Sequence, residues 1–187
     1  MKPKIITISG PPGSGTTTVS RNVSENLDYS RFASGDFMRN LARERGISLQ
    51  KLIEKAENNP EIDRKIDAKV QNLADGDELV VDSRLAFHFI PESFAVYLEV
   101  NFDNAAQRVY EDKDQRKKNA ERDADSIKET KKQIIERLES ERERYKNLYN
   151  IDHTNHTHYD LIIRTDDKTV KTITNIIIRE YKSWLKQ

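Results

Sequence analysis

A glycine-rich turn near the N-terminus is the feature that most constrains what this chain can fold into. The β-branched run Ile5–Ile8 before it is typical of a buried strand, and Thr16–Leu27 after it has the apolar spacing of a helix. The turn itself is Gly10-Pro11-Pro12-Gly13-Ser14-Gly15-Thr16-Thr17. Strand, glycine-rich turn and helix in this order predict a phosphate-binding loop, because glycines let successive N–H groups point inward and the helix N-terminus adds partial positive charge.

The turn departs from the usual nucleotide-binding pattern at one position. That pattern has Lys directly after the last glycine, followed by Ser or Thr. Here Thr16 stands in the lysine position, while Thr17 supplies the hydroxyl that would bind Mg²⁺. A plain turn, or a loop for another anion, is the alternative. If the ligand is a nucleotide, Mg²⁺ and arginines elsewhere in the chain must supply the missing charge at its phosphates.

The rest of the chain alternates short apolar runs with amphipathic helical patterns. This alternation over 187 residues favours one domain of the α/β class, built on a parallel sheet. The further strand candidates are Tyr29–Ala33, Leu79–Val81, Phe94–Val100 and Tyr159–Thr165.

Composition narrows the classes of partner. Lys plus Arg and Asp plus Glu both number 32, so the formal net charge is zero, which argues against a general nucleic-acid or acidic-membrane binder. The absence of cysteine excludes disulfides and thiol catalysis. No apolar run approaches the ~18–20 residues of a membrane span, and the first apolar run ends too soon for a signal peptide. We therefore expect a cytoplasmic protein that binds neither nucleic acid nor membrane.

Two further motifs follow predicted strands, at the edge of a parallel sheet where ligands bind. Asp82 ends one strand and would hold metal-bound water, with Arg84 placed for a phosphate; the alternative is that Asp82 only caps the next segment. Ser34 and Arg39 lie one helical turn apart after another strand and would suit a second phosphate. A helix-start acid and a surface arginine are common, so this second motif is weak by itself.

A highly charged segment lies between Glu111 and Asn147, where 23 of 37 residues are charged. Its narrow apolar stripe, which includes Ile127 and Ile134, predicts one or two long, mostly solvated helices. They would form a surface hairpin, a docking arm for another protein, or a lid over a charged ligand. Three charged residues with helical spacing share one side, although spacing alone favours ordinary surface ion pairs. They are Arg137, Glu141 and Arg144.

Three histidines cluster near the C-terminal end of this segment. His153, His156 and His158 lie beside Asp152 in a loop-like stretch. Their density would suit a metal site, but the spacing matches no site pattern, so a solvated loop is the favoured interpretation.

Taken together, these motifs resemble the archaeal-type cytidylate kinases, a group of nucleoside monophosphate (NMP) kinases. The similarity spans nearly the whole chain and includes the glycine-rich turn through Thr18, where that group also tends to carry Thr in place of Lys. The other similar segments are Pro60–Arg64 with Asp67, Arg137–Lys146, Tyr149–Asp152 and Tyr159–Leu161. The resemblance implies one P-loop kinase domain over residues 1–187, with a five-stranded parallel sheet, a helical NMP-binding region at residues 34–75 and a mobile helical lid at residues 112–147.

The resemblance also implies an activity: a monomer that transfers phosphate from ATP to CMP or dCMP with Mg²⁺. The implied ATP-binding residues are Gly10, Pro11, Pro12, Gly13, Ser14, Gly15, Thr16, Thr17 and Thr18. The implied acceptor residues are Ser34, Arg39, Asp63, Arg84 and Glu141, with Glu141 at the ribose. The implied catalytic residues are Arg84, Arg137, Arg144 and Asp82. Thr17 and, through water, Asp82 are the implied Mg²⁺ residues.

The chain departs from the bacterial cytidylate kinase pattern around the base. Ser83 stands where Gly is usual, and Leu85 stands where that pattern has an Asp near cytosine. Asp63 falls where that pattern places a base-reading Arg, and a carboxylate there can accept from the cytosine amino group. Two alternatives stay open: a kinase for AMP, UMP or a small molecule that is not a nucleotide, and a nucleotide-binding sensor without transfer activity.

Overall fold

Five parallel strands form one sheet in the computed structural model, which describes residues 2–112 and 126–187. The order across the sheet is β2-β3-β1-β4-β5, so β1 is the central strand and β3 lies between it and the edge strand β2. All four neighbouring pairs are parallel, which confirms the predicted sheet. The strands are β1 (Ile5–Ser9), β2 (Ser30–Ala33), β3 (Leu79–Asp82), β4 (Phe94–Glu99) and β5 (Leu161–Arg164).

Helices connect the strands, and several of them begin at a residue whose side chain caps the first turn. The side chains of Ser48 and Asn59 accept hydrogen bonds from the first turns of their helices, and Pro60 follows at the first helical position. A short 3₁₀ turn spans His156–His158. The helices are α1 (Thr16–Leu27), α2 (Ser34–Glu44), α3 (Leu49–Asn58), α4 (Pro60–Gln71), α5 (Ala86–Phe89), α6 (Phe102–Glu111), α7 (Ile127–Tyr149) and α8 (Val170–Trp184). No helix of the described ranges is long and apolar enough to cross a membrane.

The two faces of the sheet are covered by different helices, because alternate residues of a strand point to opposite sides. On one face, Ile6 and Ile8 pack with α1 and α8, whose buried residues include Val23 and Ile177. On the other face, Ile5 packs with α4 and α5. The central strand β1 is therefore buried on both faces, as its continuous β-branched sequence predicts.

Two smaller apolar clusters lie outside the sheet. The helices α2, α3 and α4, which fall in the segment predicted to bind the acceptor, share a cluster built on Ala42, Leu52 and Ile62. Helix α7 packs against α6 through Ile134. Ile127, which we expected on the same contact stripe, is 38% exposed at the first turn of α7, so its assignment was wrong. Residues 113–125 of the predicted lid lie outside the described residues.

The turn after β1 rests on α6 through a glycine. Gly13 has φ +84°, and a Cβ there would lie 2.7–2.9 Å from three atoms of Ala105. Gly15 also has a left-handed φ, +92°, but a Cβ there would meet nothing within 4 Å. The two glycines thus share one backbone requirement and differ in the space around them.

Gly13→Ala is expected to destabilise the protein more than Gly15→Ala. Both substitutions place a Cβ on left-handed backbone, at a cost on the order of 1–2 kcal/mol. Gly13→Ala adds overpacking against Ala105, on the order of 1–3 kcal/mol more. Urea unfolding of the two variants measures the difference directly. Equal losses of unfolding free energy would show that the turn does not depend on its contact with α6.

Candidate active site

A cavity of about 750 Å³ opens at the carboxyl edge of the sheet, between the turn after β1, the helices α2–α4 and the helix α7. This volume lies in the range of small-molecule sites. Among its lining residues are all the predicted site residues apart from Gly10. They are Pro11, Pro12, Gly13, Ser14, Gly15, Thr16, Thr17, Thr18, Ser34, Arg39, Asp63, Asp82, Arg84, Arg137, Glu141 and Arg144.

The turn after β1 has the features of an anion-binding loop. Gly15 occupies the N-cap position of α1, and no described side chain caps that end of the helix. The hydroxyl of Ser14 is buried and has no hydrogen-bond partner among residues 2–112 and 126–187. A helix N-terminus without a side-chain acceptor and an orphaned hydroxyl both fit a phosphate ligand.

Asp82 lies beside this loop because β1 and β3 are neighbours. Their register pairs Ile8 with Asp82, and the Thr17 hydroxyl donates to the Asp82 carboxylate at 3.2 Å. Burial raises the pKa of Asp82, and the nearby Arg84, Arg31 and Thr17 oppose that rise. A hydroxyl and a carboxylate are hard oxygen donors, so the pair fits Mg²⁺.

Arg31 is a member of this cluster that the sequence did not reveal. Its guanidinium donates to Ser20 at 2.8 Å, to Asp36 at 3.1 Å and to Asp82 at 3.4 Å. The sequence offered one indication of this role, which is that a positively charged residue lies inside a short predicted strand. The contacts with Asp82 depend on β2 pairing with β3, which sequence spacing does not show.

The arginines predicted to bind phosphate are all paired with carboxylates in this structure. Arg84 Nε and Arg137 Nε each lie 2.9 Å from one oxygen of Glu141. Burial would raise the pKa of Glu141, but the charges of Arg84 and Arg137 hold it well below its usual range. Glu141 is only 6% exposed, so this is not the surface ion pairing that the spacing alone favoured.

Two further arginines form similar pairs with carboxylates of α2 and α4. Arg144 Nε lies 2.7 Å from the Asp63 carboxylate, which joins α7 to α4. Arg39 Nη2 lies 2.7 Å from Asp36 within α2. Burial raises the pKa of Asp63, although the charge of Arg144 works against this effect. The cavity therefore contains arginines whose partners are internal carboxylates, which a phosphate ligand can replace.

A second buried carboxylate lies one turn after Asp63 on α4. Asp67 is 8% exposed and accepts a short hydrogen bond from the hydroxyl of Tyr149 on α7. Burial raises the pKa of Asp67 to about 6, against the opposing effect of that hydrogen bond. Apolar side chains line the cavity near these two carboxylates. They are Met38, Leu49, Ile53, Ala56 and Ile66.

The histidine-rich stretch is only partly solvated, so the expectation of a solvated loop was wrong for one residue. His156 and His158 are exposed, but His153 is 1% exposed and lies near Glu141. The stretch is held to α7 by Arg142, which pairs with Asp152 at 2.6 Å. No group of three or more metal-binding side chains occurs within residues 2–112 and 126–187.

Arg108 of α6 is another cavity residue that the sequence did not single out. Its guanidinium donates to the carbonyl oxygens of Gly13, at 3.3 Å, and Thr165, at 2.7 Å. It thereby links the loop to the end of β5. No local sequence signal marks it, because both partners are more than fifty residues away in the chain.

The fold and the site together define a P-loop kinase. Residues 6–155 match a family model described as an AAA domain. Shikimate kinase from Acinetobacter baumannii superposes with a TM-score of 0.63 at 22% identity, covering 97% of this chain and 93% of that one. This likeness confirms the predicted α/β fold, with its five-stranded parallel sheet.

Two relatives show which family of P-loop kinases the chain belongs to. The chain is 39% identical over 181 residues to the cytidylate kinase of Methanothrix thermoacetophila, covering 95% of this chain and 99% of that protein. It is 35% identical over 184 residues to an S-adenosylmethionine-dependent nucleotide dehydratase of Lacinutrix mariniflava, covering 97% of this chain but 36% of that protein. The chain belongs to the cytidylate kinase family, as its motifs indicated, and is an enzyme of the nucleotide-binding transferase class.

Asp67→Asn is expected to stabilise the ligand-free protein at pH 7.5 but hardly at pH 4. Because the pKa of Asp67 is about 6 in the folded protein, against 3.8 for an ordinary aspartate, the folded protein keeps a proton that the unfolded chain loses between these values. The wild type therefore loses unfolding free energy as pH rises through this window, by up to about 3 kcal/mol. The Asn side chain still accepts the hydrogen bond from Tyr149 but does not titrate, so the variant keeps its unfolding free energy as the pH rises.

Urea unfolding at the two pH values tests this expectation. The matched control is Asp75→Asn, which removes an exposed carboxylate from a turn and should change stability equally at both pH values. A gain for Asp67→Asn that is the same at pH 4 and pH 7.5 would contradict the raised pKa.

Proposed function

We propose that the protein transfers the γ-phosphoryl group of ATP to CMP or dCMP, giving ADP and CDP or dCDP. The observation that carries this proposal is that one cavity contains both the anion-binding loop and a second region at α2–α4. Apolar side chains and two carboxylates, Asp63 and Asp67, line that second region. Several arginines line the same cavity, as transfer between two phosphorylated molecules requires. They are Arg39, Arg84, Arg108, Arg137 and Arg144. The cytidylate kinase relative, matched over 99% of its length, supports the identity of the acceptor.

The donor nucleotide would lie with its phosphates on residues 10–18. The loop supplies backbone N–H groups and the α1 terminus, and the Ser14 hydroxyl would gain the partner it lacks. Thr16 brings no charge, so the positive charge around the transferred group would come from arginines. Arg137 and Arg84 line the cavity together with the loop, and we assign this charge to them.

Thr17 and Asp82 would hold Mg²⁺, with Asp82 acting through water. Their hydrogen bond already places a hydroxyl and a carboxylate oxygen together beside the loop. Bound there, Mg²⁺ would neutralise charge on the β- and γ-phosphates of ATP. Arg31 would fix the orientation of the Asp82 carboxylate, since it contacts the same carboxylate oxygen as Thr17.

The transfer step needs no nucleophile from the protein. An oxygen of the acceptor phosphate forms a bond to the γ-phosphorus as the bond to the β–γ bridging oxygen breaks, and that electron pair leaves with ADP. Ser34, Arg39 and Arg84 would hold the acceptor phosphate in line. Arg137 and Arg144 of α7 would stabilise the charge on the transferred group and, with residues 112–147 as a lid, exclude water.

The base would enter between α2, α3 and α4, where apolar side chains and two carboxylates line the cavity. Cytosine carries an exocyclic amino group, for which a carboxylate is the matching acceptor. Asp63 would become available for it once Arg144 turns to a phosphate, and Asp67 is a second acceptor one helical turn away. Recognition of the base and placement of Arg144 would thus be linked through Asp63.

Purified protein with ATP and Mg²⁺ should form ADP with CMP and dCMP, each offered separately, and far less with UMP, AMP and GMP. ADP release is measured against a blank without acceptor. Preference for another acceptor would keep the transfer mechanism but reject the assignment of the base site. ATP binding without transfer to any acceptor would favour a nucleotide sensor, for which the missing loop lysine is the supporting observation.

Arg137→Ala should lower kcat by about 10²–10³, because it removes one donor aimed at the developing charge. The matched control is Lys132→Ala on the same helix. Both residues form i,i+4 ion pairs with glutamates, but Arg137 lines the cavity whereas the Lys132 side chain is 65% exposed. Lys132→Ala should lose less than about 1 kcal/mol of stability. Arg137→Ala should lose more, because it leaves the buried Glu141 with Arg84 as its ion-pair partner, so kcat is compared under conditions where both variants are folded. Similar kcat values for the two variants would remove Arg137 from the site.

A further inference from the structure

His153 is buried without any evident reason for being a histidine. It is 1% exposed, and neither ring nitrogen has a hydrogen-bond partner among the residues that the structure describes. The Tyr159 hydroxyl donates to its carbonyl oxygen at 2.6 Å, so the backbone is well fixed. A buried polar group without a partner costs about 1–3 kcal/mol. An apolar side chain would fill the same space without this cost, so the imidazole needs a different explanation.

The groups that face His153 are mostly charged. Nε2 lies 4.0 Å from the Oε2 atom of Glu141, and the Tyr145 ring packs edge-on at 5.2 Å between centroids, both on α7. Three further charged residues are close enough to influence the pKa of His153. They are Arg84 after β3, the neighbouring Asp152 and Arg142 of α7. Burial lowers the pKa of His153 to about 4, so the ring is neutral at pH 7 and carries one N–H.

Glu141 has two stronger partners in this structure. Arg84 binds its Oε2 atom and Arg137 binds its Oε1 atom, each at 2.9 Å. Both arginines line the cavity, where nucleotide phosphates would compete for them. If they turn to the phosphates, a carboxylate that is 6% exposed is left without a cation, which is strongly unfavourable.

We propose that His153 is a positioning residue that donates its Nε2–H to Glu141 when Arg84 turns from this carboxylate to nucleotide phosphate. The atoms need to approach by only about 1 Å to reach hydrogen-bond distance. The histidine thereby lowers the cost of releasing Arg84 and keeps Glu141 and α7 in place in the loaded enzyme. This inference rests on the proposed function, since it needs a phosphorylated ligand in the cavity.

Three variants test this role. His153→Phe removes both nitrogens and keeps an aromatic ring, His153→Gln keeps an N–H donor, and His156→Phe is the control at an exposed histidine three residues away. For each variant we would measure kcat and KM, the Tm without ligand, and the rise in Tm caused by ATP with Mg²⁺ and CMP.

His153→Phe should have an unchanged or higher Tm without ligand, because it relieves unpaired buried nitrogens. Its kcat/KM should fall about tenfold, and the rise in Tm with nucleotides should shrink. His153→Gln should recover most of both losses, and His156→Phe should behave as the wild type. This combination of a stable empty protein and an impaired loaded one is not expected from a merely structural residue.

The proposal is overturned if His153→Phe matches the wild type in kcat/KM and in ligand-induced Tm. It is also overturned if Gln gives no recovery, or if the Tm of the empty Phe variant falls like that of a core substitution. Failure of the wild type to phosphorylate any NMP would instead reject the proposed function. The ligand-induced Tm values of the wild type and the variants would still decide the role of His153 in that case.

Discussion

The Arg84–Glu141 ion pair joins the long helix α7 to the carboxyl edge of the sheet, and the shape of the cavity depends on it. Arg144 with Asp63, and Tyr149 with Asp67, attach the same helix to α4. At its other end α7 is held by an apolar contact, Ile134 against α6. The cavity is therefore closed on one side largely by charged and polar contacts. Buried pairs of this kind add little net stability, but they fix geometry, and one partner can be exchanged for another of equal charge.

This exchange offers a physical account of how a loop without lysine can serve a kinase. Thr16 contributes no charge, so in the proposed mechanism the arginines move toward the phosphates when nucleotides bind. In this structure Glu141 and Asp63 form ion pairs with Arg84 and Arg144 and hold them in the cavity. Phosphates bound at both ends of the cavity would offset the free energy lost when these ion pairs separate, whereas water alone would not. Arg31 would stay beside Asp82, because its contacts are Ser20 of α1, Asp36 of α2 and Asp82 of β3, none of which belongs to the helix that closes the cavity.

The sequence predicted those parts of the fold that local patterns determine. Short apolar runs identified the strands, and the glycine spacing identified the loop before any contact was known. The meeting of Asp82 with Thr17 was also predictable, because the carboxyl ends of parallel strands share one edge. The family resemblance, carried by residues such as Arg137 and Glu141, was confirmed by the relatives.

Contacts between segments that are distant in the chain could not be predicted from local sequence patterns. Tyr149 and Asp67 are 82 residues apart, and nothing in either segment indicates the other. His153 appeared solvated because its neighbours are polar, whereas its burial is imposed by the packing of α7 above it. Ile127 looked like part of an apolar stripe, but the stripe begins to contact α6 only further along the helix. In each case burial is set by tertiary packing, which helical periodicity does not define.

The most direct measurement is a crystal structure with adenosine and cytidine joined through five phosphates, a molecule that spans both ends of the cavity. The account predicts that Arg84 Nε and Arg144 Nε move more than about 4 Å from their carboxylates, beyond ion-pair distance, and contact phosphate oxygens. In the structure described above these two separations are 2.9 and 2.7 Å. If both pairs stayed intact while the phosphates bound, the exchange of arginine partners would be contradicted.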